Sequence, residues 1–299
     1  MRTILVPLDG SELAEKILVP ARALATATQA RLVLVRGVPF AFSSREQEVA
    51  AHAALSEALD YVEAVSRRLQ SEGVTAEGAV LPGSPEQAIL FAAQMHHVDL
   101  IAMSTHGRSG LRHALVGSVA EAVLRHGECP VLLSRSGAEP APEGPVTHRI
   151  LIPLDGSVLS ESALAYLASE QLAVGARVLL LRVVEPPSLA VTPLGYAAVT
   201  ADFFAEADRQ TAEERQEAEA YLSAMGERYL RGMEWEKHVT TGYASDAILR
   251  AVGELHAGLI VMATAGRHGF ERLLYGSVAG RVLRHAPVPI LLVHEVSTP

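Results

Sequence analysis

The chain contains itself twice. "TILVPLDGS" at residues 3–11 returns as "RILIPLDGS" at 149–157, 146 positions later. "IAMSTHGRSGLRHALVGSVAEAVLRHGECPVLL" at 101–133 returns as "IVMATAGRHGFERLLYGSVAGRVLRHAPVPILL" at 260–292, 159 positions later. The order is kept, so the 13 extra residues fall between the two pairs. The segment "EPPSLAVTPLGYAAVT" at 185–200 is where they are expected, because its counterpart near Pro39 is shorter. A period this long exceeds a stacked solenoid unit and marks a duplicated domain. The 299 residues accommodate two domains of roughly 150 each. We place them at 1–136 and 148–299. The linker is 137–147, within the Pro-, Gly- and Ala-rich "SGAEPAPEGPVTH".

Each half alternates short β-branched runs with helical patterns. The first half predicts strands at 3–8, 31–38, 76–81, 98–103 and 130–134, with helices near 12–28, 45–71, 85–96 and 116–126. In the second, strands are expected near 149–154, 177–184, 234–240, 258–263 and 288–293, with a long acidic helix at about 201–231 that reads as a solvated cover. The strands are nearly continuous apolar runs, as when helices cover both faces of a sheet. Strand–helix alternation implies right-handed crossovers and a parallel sheet. The expected fold is therefore α/β, two tandem doubly wound domains.

Composition removes several function classes. The chain is 49% hydrophobic, which is enough to build cores and argues against disorder. A formal charge of −9 opposes nonspecific nucleic-acid binding, although it leaves room for one local nucleotide site. The basic residues are nearly all Arg, Lys16 and Lys237 being the only lysines. A single cysteine, Cys129, rules out an internal disulfide and reads as a buried structural thiol. No signal segment or membrane-length apolar run is seen, so a cytoplasmic protein is expected.

Ligands of open α/β sheets bind beyond the carboxyl ends of the strands, where neighbouring connections diverge. That directs attention to the loops after the first and fourth strand of each half. After the first comes Pro7-Leu8-Asp9-Gly10-Ser11, repeated as Pro153-Leu154-Asp155-Gly156-Ser157. The structural reading is a tight turn with Ser11 capping the helix. The functional reading has the Asp carboxylate accept a hydrogen bond from a ligand amine or hydroxyl. After the fourth strand, Gly107, nine residues, then Gly117-Ser118 matches Gly266, nine residues, then Gly276-Ser277. Glycine lets backbone N–H groups converge on an anion. The Gly-Ser pair opens a helix whose free N–H groups favour phosphate. Arg108 and Arg267 place a cation beside each loop. A flexible loop explains the glycines one by one, but explains less well why spacing and Arg recur in both halves.

"VPLDGS", a following βαβ unit and "MSTHGRSGLRHALVGSVAE" closely resemble the universal stress protein family in its tandem form. The resemblance implies a five-stranded parallel sheet of order 3-2-1-4-5 in each half, of the adenine-nucleotide alpha-hydrolase-like type. It also implies ATP as ligand, with Mg²⁺ compatible. On that resemblance Asp9 and Asp155 contact adenosine, with Pro7, Leu8, Pro153 and Leu154 beside them. Val183, ending strand 2, contacts adenine. Met103 and Met262 precede the phosphate loop. Gly107, Gly117 and Ser118, with Gly266, Gly276 and Ser277, fall at the phosphate positions, followed by Val119 and Val278. The chain departs from the family pattern at three places. Ser104 and Ala263 replace the first motif glycine, where positive φ would become costlier. Ala265 stands opposite His106. Gly37 stands where Val183 does, and would give adenine a poorer apolar wall.

Rival chemistries lack their signatures. There is no G-x-x-x-x-G-K-[ST], no G-x-G-x-x-G after strand 1, and no G-x-S-x-G elbow for a Ser118–His106–Asp9 triad. His96-His97 and His106/His113 lack the partners of a transition-metal site. Three functions remain. One is an ATP-binding regulatory or stress protein without dedicated catalysis. Another is a slow ATP hydrolase or phosphotransferase, for which His106 alone is a candidate base. The last is a nucleotide-free dimerising scaffold. Strands 130–134 and 288–293 end each half's sheet, and edge pairing is their natural use. The resemblance implies that the halves pack through them as an intramolecular pseudo-dimer, with a homodimer also open.

Overall fold

A computed structural model describes residues 1–39, 44–105, 117–135, 148–172, 174–186, 201–264 and 276–294. In the first half the elements are β1 (Thr3–Pro7), α1 (Glu12–Glu15), α2 (Leu18–Thr28), β2 (Arg31–Val38), α3 (Arg45–Ser71), β3 (Ala76–Pro82), α4 (Pro85–Met95), β4 (Leu100–Ser104), α5 (Ser118–His126) and β5 (Val131–Ser134). The second half runs β6 (Arg149–Pro153), α6 (Val158–Ser169), β7 (Arg177–Val184), α7 (Ala201–Tyr229), β8 (Glu234–Thr241), α8 (Ala244–Glu254), β9 (Leu259–Thr264), α9 (Ser277–His285) and β10 (Ile290–His294). The expected linker lies outside the described residues, as do 187–200 within the segment expected to hold the extra length.

All ten strands form one sheet of order β3-β2-β1-β4-β5-β10-β9-β6-β7-β8. Each half therefore has the expected order 3-2-1-4-5, and its pairings are parallel. The halves meet where β5 and β10 pair antiparallel, with Leu132 opposite Leu291. Both leucines are fully buried. Helices cover both faces, so successive residues of one strand serve two cores. Ile4 and Val6 of β1 join the α1–α3, α6 and α7 side, while Leu5 joins the side of α4, α5, α8 and α9. Each core contains residues of both halves. Burial of a Leu or Ile side chain stabilises by about 1.5–3 kcal/mol, and the seam leucines are as fully buried as the strand interiors of either half. The remaining edges are β3 and β8. Exposed Glu77 on β3, and Glu234 and Lys237 on β8, hinder further strand addition.

One expected helix is two. The run 12–28 breaks at Lys16 and Ile17, between α1 and α2. Pro20 is the cause: its ring lacks the N–H that would bond Lys16, and it would collide with that carbonyl in a continuous helix. The repeat places Tyr166 at this position, and α6 runs unbroken. β4 begins at Leu100, later than expected, because Asp99 turns back to accept from the N–H groups of Arg2 and Thr3, at 2.6 and 2.8 Å. No helix among the described residues is long and apolar enough to cross a membrane.

Candidate functional site

β1 lies between β2 and β4, and β6 between β7 and β9. The connection leaving β1 returns through β2, while that leaving β4 returns through β5. The carboxyl ends of β1 and β4 are thus a switch point of the kind that holds ligands in open α/β sheets.

Pro7 and Pro153 close their strands, and Leu8 and Leu154 are buried just beyond. The N–H of Leu8 donates to Val35 O at 2.9 Å, and that of Leu154 to Leu181 O at 2.8 Å. The chain then turns at Gly10 and Gly156, each at φ 85°, a left-handed conformation that selects glycine. Asp9 Oδ1 accepts from the N–H and hydroxyl of Ser11 at 2.9 and 2.6 Å; Asp155 Oδ1 does the same from Ser157 at 2.9 and 2.5 Å. The serines cap the next helices, Ser11 Oγ accepting from Ala14 N and Ser157 Oγ from Ser160 N. The structural reading of the turn is therefore correct. It leaves room for the functional one, because each carboxylate is oriented by its own turn at the mouth of the switch point. Partial desolvation pushes the Asp155 carboxyl up. The hydrogen bonds of Ser157 and Ser160, with the nearby Arg182 guanidinium, more than offset this and hold it below the usual carboxylate range.

At the end of β4, Met103 is buried in the core, as is Met262 of β9. Ser104 and Ala263 are strand residues outside the left-handed region, so the expected cost of positive φ does not arise. Ser104 has a different task. Its hydroxyl donates to Leu13 O at 2.8 Å, a carbonyl left over where the helix breaks before Pro20. α6 is unbroken and needs no such donor, which accounts for Ala263.

Beyond β4 the N–H of Gly117 donates to Thr105 O at 2.8 Å, which holds the start of α5 against the end of β4. Gly117 and Gly276 are the N-cap residues of α5 and α9, with Ser118 and Ser277 first in the helices. Val119 and Val278 follow, half-buried against the core. The caps sit at φ −59° and −55°, which any residue adopts. A Cβ on Gly276 would meet no atom of the described residues within 4 Å. Among the described residues, neither conformation nor packing explains the glycine there. Gly107, Arg108, Gly266 and Arg267 lie outside the described residues, as do His106, Gly110 and His113.

Gly37 of β2 and Val183 of β7 occupy matching places, paired with Leu81 and Thr240. A Cβ on Gly37 would stand 3.0 Å from Pro85 Cα and 3.1 Å from Ala88 Cβ. The space a side chain would take is filled by α4 itself. Val183 packs half-buried against the core.

The motif reading overlooked the residues behind the turn. Arg36 and Arg182 precede Gly37 and Val183 and point to the opposite face, over Tyr61 of α3 and Tyr221 of α7. Their recurrence 146 residues apart was the available signal. Of the histidines, His96 Nδ1 lies 3.8 Å from Glu77 and His97 follows the end of α4 at φ 49°. Among the described residues no group of three His, Cys, Asp or Glu side chains could hold a metal ion.

Comparison with known proteins agrees with this duplicated architecture. The universal stress protein family matches residues 1–135 and, again, 147–294. The chain belongs to the universal stress protein family. A universal stress protein of Thermus aquaticus is 36% identical over 139 residues, 45% of this chain and 98% of its own. The crystal structure of a universal stress protein from Archaeoglobus fulgidus covers 98% of both chains, with 20% identity and a TM-score of 0.69. A universal stress protein solved in complex with cAMP covers 46% of this chain and 98% of its own, with 24% identity and a TM-score of 0.39.

Proposed function

We propose that each half of this universal stress protein binds one adenine nucleotide, ATP foremost, and that occupancy serves regulation without dedicated catalysis. The observation that carries this reading is Gly276: a glycine at the mouth of the switch point that neither φ nor packing against the described residues requires. Close approach of a ligand accounts for it, and free N–H groups at the start of α5 and α9 suit a phosphate. Asp9 and Asp155 would accept from the ribose, with Pro7, Leu8, Pro153 and Leu154 forming the floor. Gly37 backed by Pro85, and Val183, would face the base. Gly117, Ser118, Gly276 and Ser277 would receive the phosphates, joined by Gly107, Arg108, Gly266 and Arg267 from the loops. Mg²⁺ would neutralise the phosphates and needs few protein ligands. The protein is expected to act in the cytoplasm.

The test is to denature purified protein, assay released adenine nucleotide, and follow thermal unfolding with ATP, ADP and AMP, with and without Mg²⁺. Ligand at 100 times its Kd stabilises by about 2.7 kcal/mol. Gly117→Val and Gly276→Val should each remove one equivalent of bound nucleotide and leave the fold intact. Absence of both released nucleotide and thermal shift in the wild type would sink the proposal.

A further inference from the structure

Behind each Asp-Gly-Ser turn sits the same trio, an arginine from the second strand, a tyrosine from the long helix and a glutamate from the first helix. In the first half Arg36 lies 5.4 Å from the Tyr61 ring centre, and Tyr61 donates to Glu15 at 2.9 Å. In the second, Arg182 lies 5.9 Å from the Tyr221 ring, and Tyr221 donates to Glu161 at 3.2 Å. The arginines are spent differently. Arg36 Nη2 donates to Glu57 of α3 at 3.2 Å. Arg182 Nη1 donates to the main-chain oxygen of Leu154 at 3.2 Å, and a Cβ on Gly156 would stand only 3.4 Å from it. The guanidinium is thus packed directly under the turn. Ser160 adds a second hold: its Oγ accepts from Asp155 N at 3.3 Å and donates to Ser157 O at 2.9 Å. The first half has Ala14 at that position.

We propose that Arg182, assisted by Ser160, is a positioning residue that fixes the Asp155 turn for its ligand, and so makes the second half the tighter of the two sites. A turn held from below loses less freedom when a ligand engages its carboxylate, so more of the contact energy appears as affinity. The ranking of the sites rests on the nucleotide-binding reading; the fixing of the turn does not.

The experiment uses the full chain and two independent readouts. Amide hydrogen exchange is measured across residues 154–158 and 8–12, and ATP is titrated calorimetrically. Arg182→Met should speed exchange at 155–157 about tenfold, the effect of one lost charge-assisted hydrogen bond. Arg36→Met should change 9–11 much less. Arg182→Lys, which keeps a donor, should restore part of the protection, and Ser160→Ala should act in the same direction as Arg182→Met, which keeps the test open should Arg182→Met fold poorly. The wild type should show two unequal sites, the tighter weakened by Arg182→Met and spared by Arg36→Met. Unchanged exchange in Arg182→Met and Ser160→Ala overturns the positioning role. Equal sites, or loss at the weaker site only, overturn the ranking. A wild type that takes up no ATP overturns the binding reading and the ranking with it, while the exchange result still decides on Arg182.

Discussion

The two halves share a fold and a motif, yet they solve the junction of first helix and fourth strand in opposite ways. In the first half Pro20 breaks the helix, Leu13 loses its intrahelical donor, and Ser104 supplies one from β4. In the second half the helix is continuous and Ala263 has nothing to supply. The departure from the family motif at residue 104 therefore lies on the packing link of the chain of cause. It answers the helix break before Pro20, and its counterpart at 263 differs because its helix is unbroken.

That contrast can be broken at several points. The largest effect is expected at the seam, which both halves share. Leu291→Ala and Leu132→Ala should each cost about 2–5 kcal/mol in denaturant unfolding, and similar values would show the seam to be symmetric where the sites are not. Next is the turn. Gly156→Ala, at φ 85°, should cost roughly 1–3 kcal/mol, whereas Gly276→Ala, at φ −55°, should leave stability nearly unchanged and weaken nucleotide binding. Ser104→Ala should cost about 1 kcal/mol, and much less in a Pro20→Ala background if the break is what creates the need; a double-mutant cycle measures this coupling. Asp155 titrates below its unfolded value near 3.9, so its contribution is whole above about pH 4 and is lost as pH falls through the lower folded value. Asp155→Asn should flatten the acid limb of a stability–pH curve. The smallest signal is expected at Cys129. Burial pushes its thiol up to about 11, leaving on the order of one part in a thousand as thiolate at pH 8, so alkylation of the native protein should be very slow.

Much of the architecture was legible because it is written twice. Strands buried on both faces read as apolar runs, and the repeat supplied the order of elements and the seam strands. The helix break at Pro20 was missed because periodicity over 12–28 carries across it; only the proline's chemistry marks the stop. The turn at Asp9 and Asp155 was legible as local chemistry, since Asp, Gly and Ser each have a fixed task within four residues. Arg182 was not, because its partner carbonyl at Leu154 lies 28 residues away and belongs to the backbone, which leaves no trace in side-chain identity. The surroundings of Gly37 were not legible for the same reason: what fills the space beside it is a helix that only the fold brings there.

The antiparallel pairing of β5 with β10 has a consequence for how this protein responds to dilution. Two separate single-domain chains joined through such strands would part as their concentration fell, and each would have to remain compatible with an identical copy of itself. Here the partner is carried on the same chain, at an effective concentration set by the tether and independent of how much protein the cell holds. Unfolding should then show one midpoint from micromolar to nanomolar protein. Because neither half ever needs to fit itself, Pro20 can face one set of neighbours and Tyr166 another, and the two halves are free to diverge.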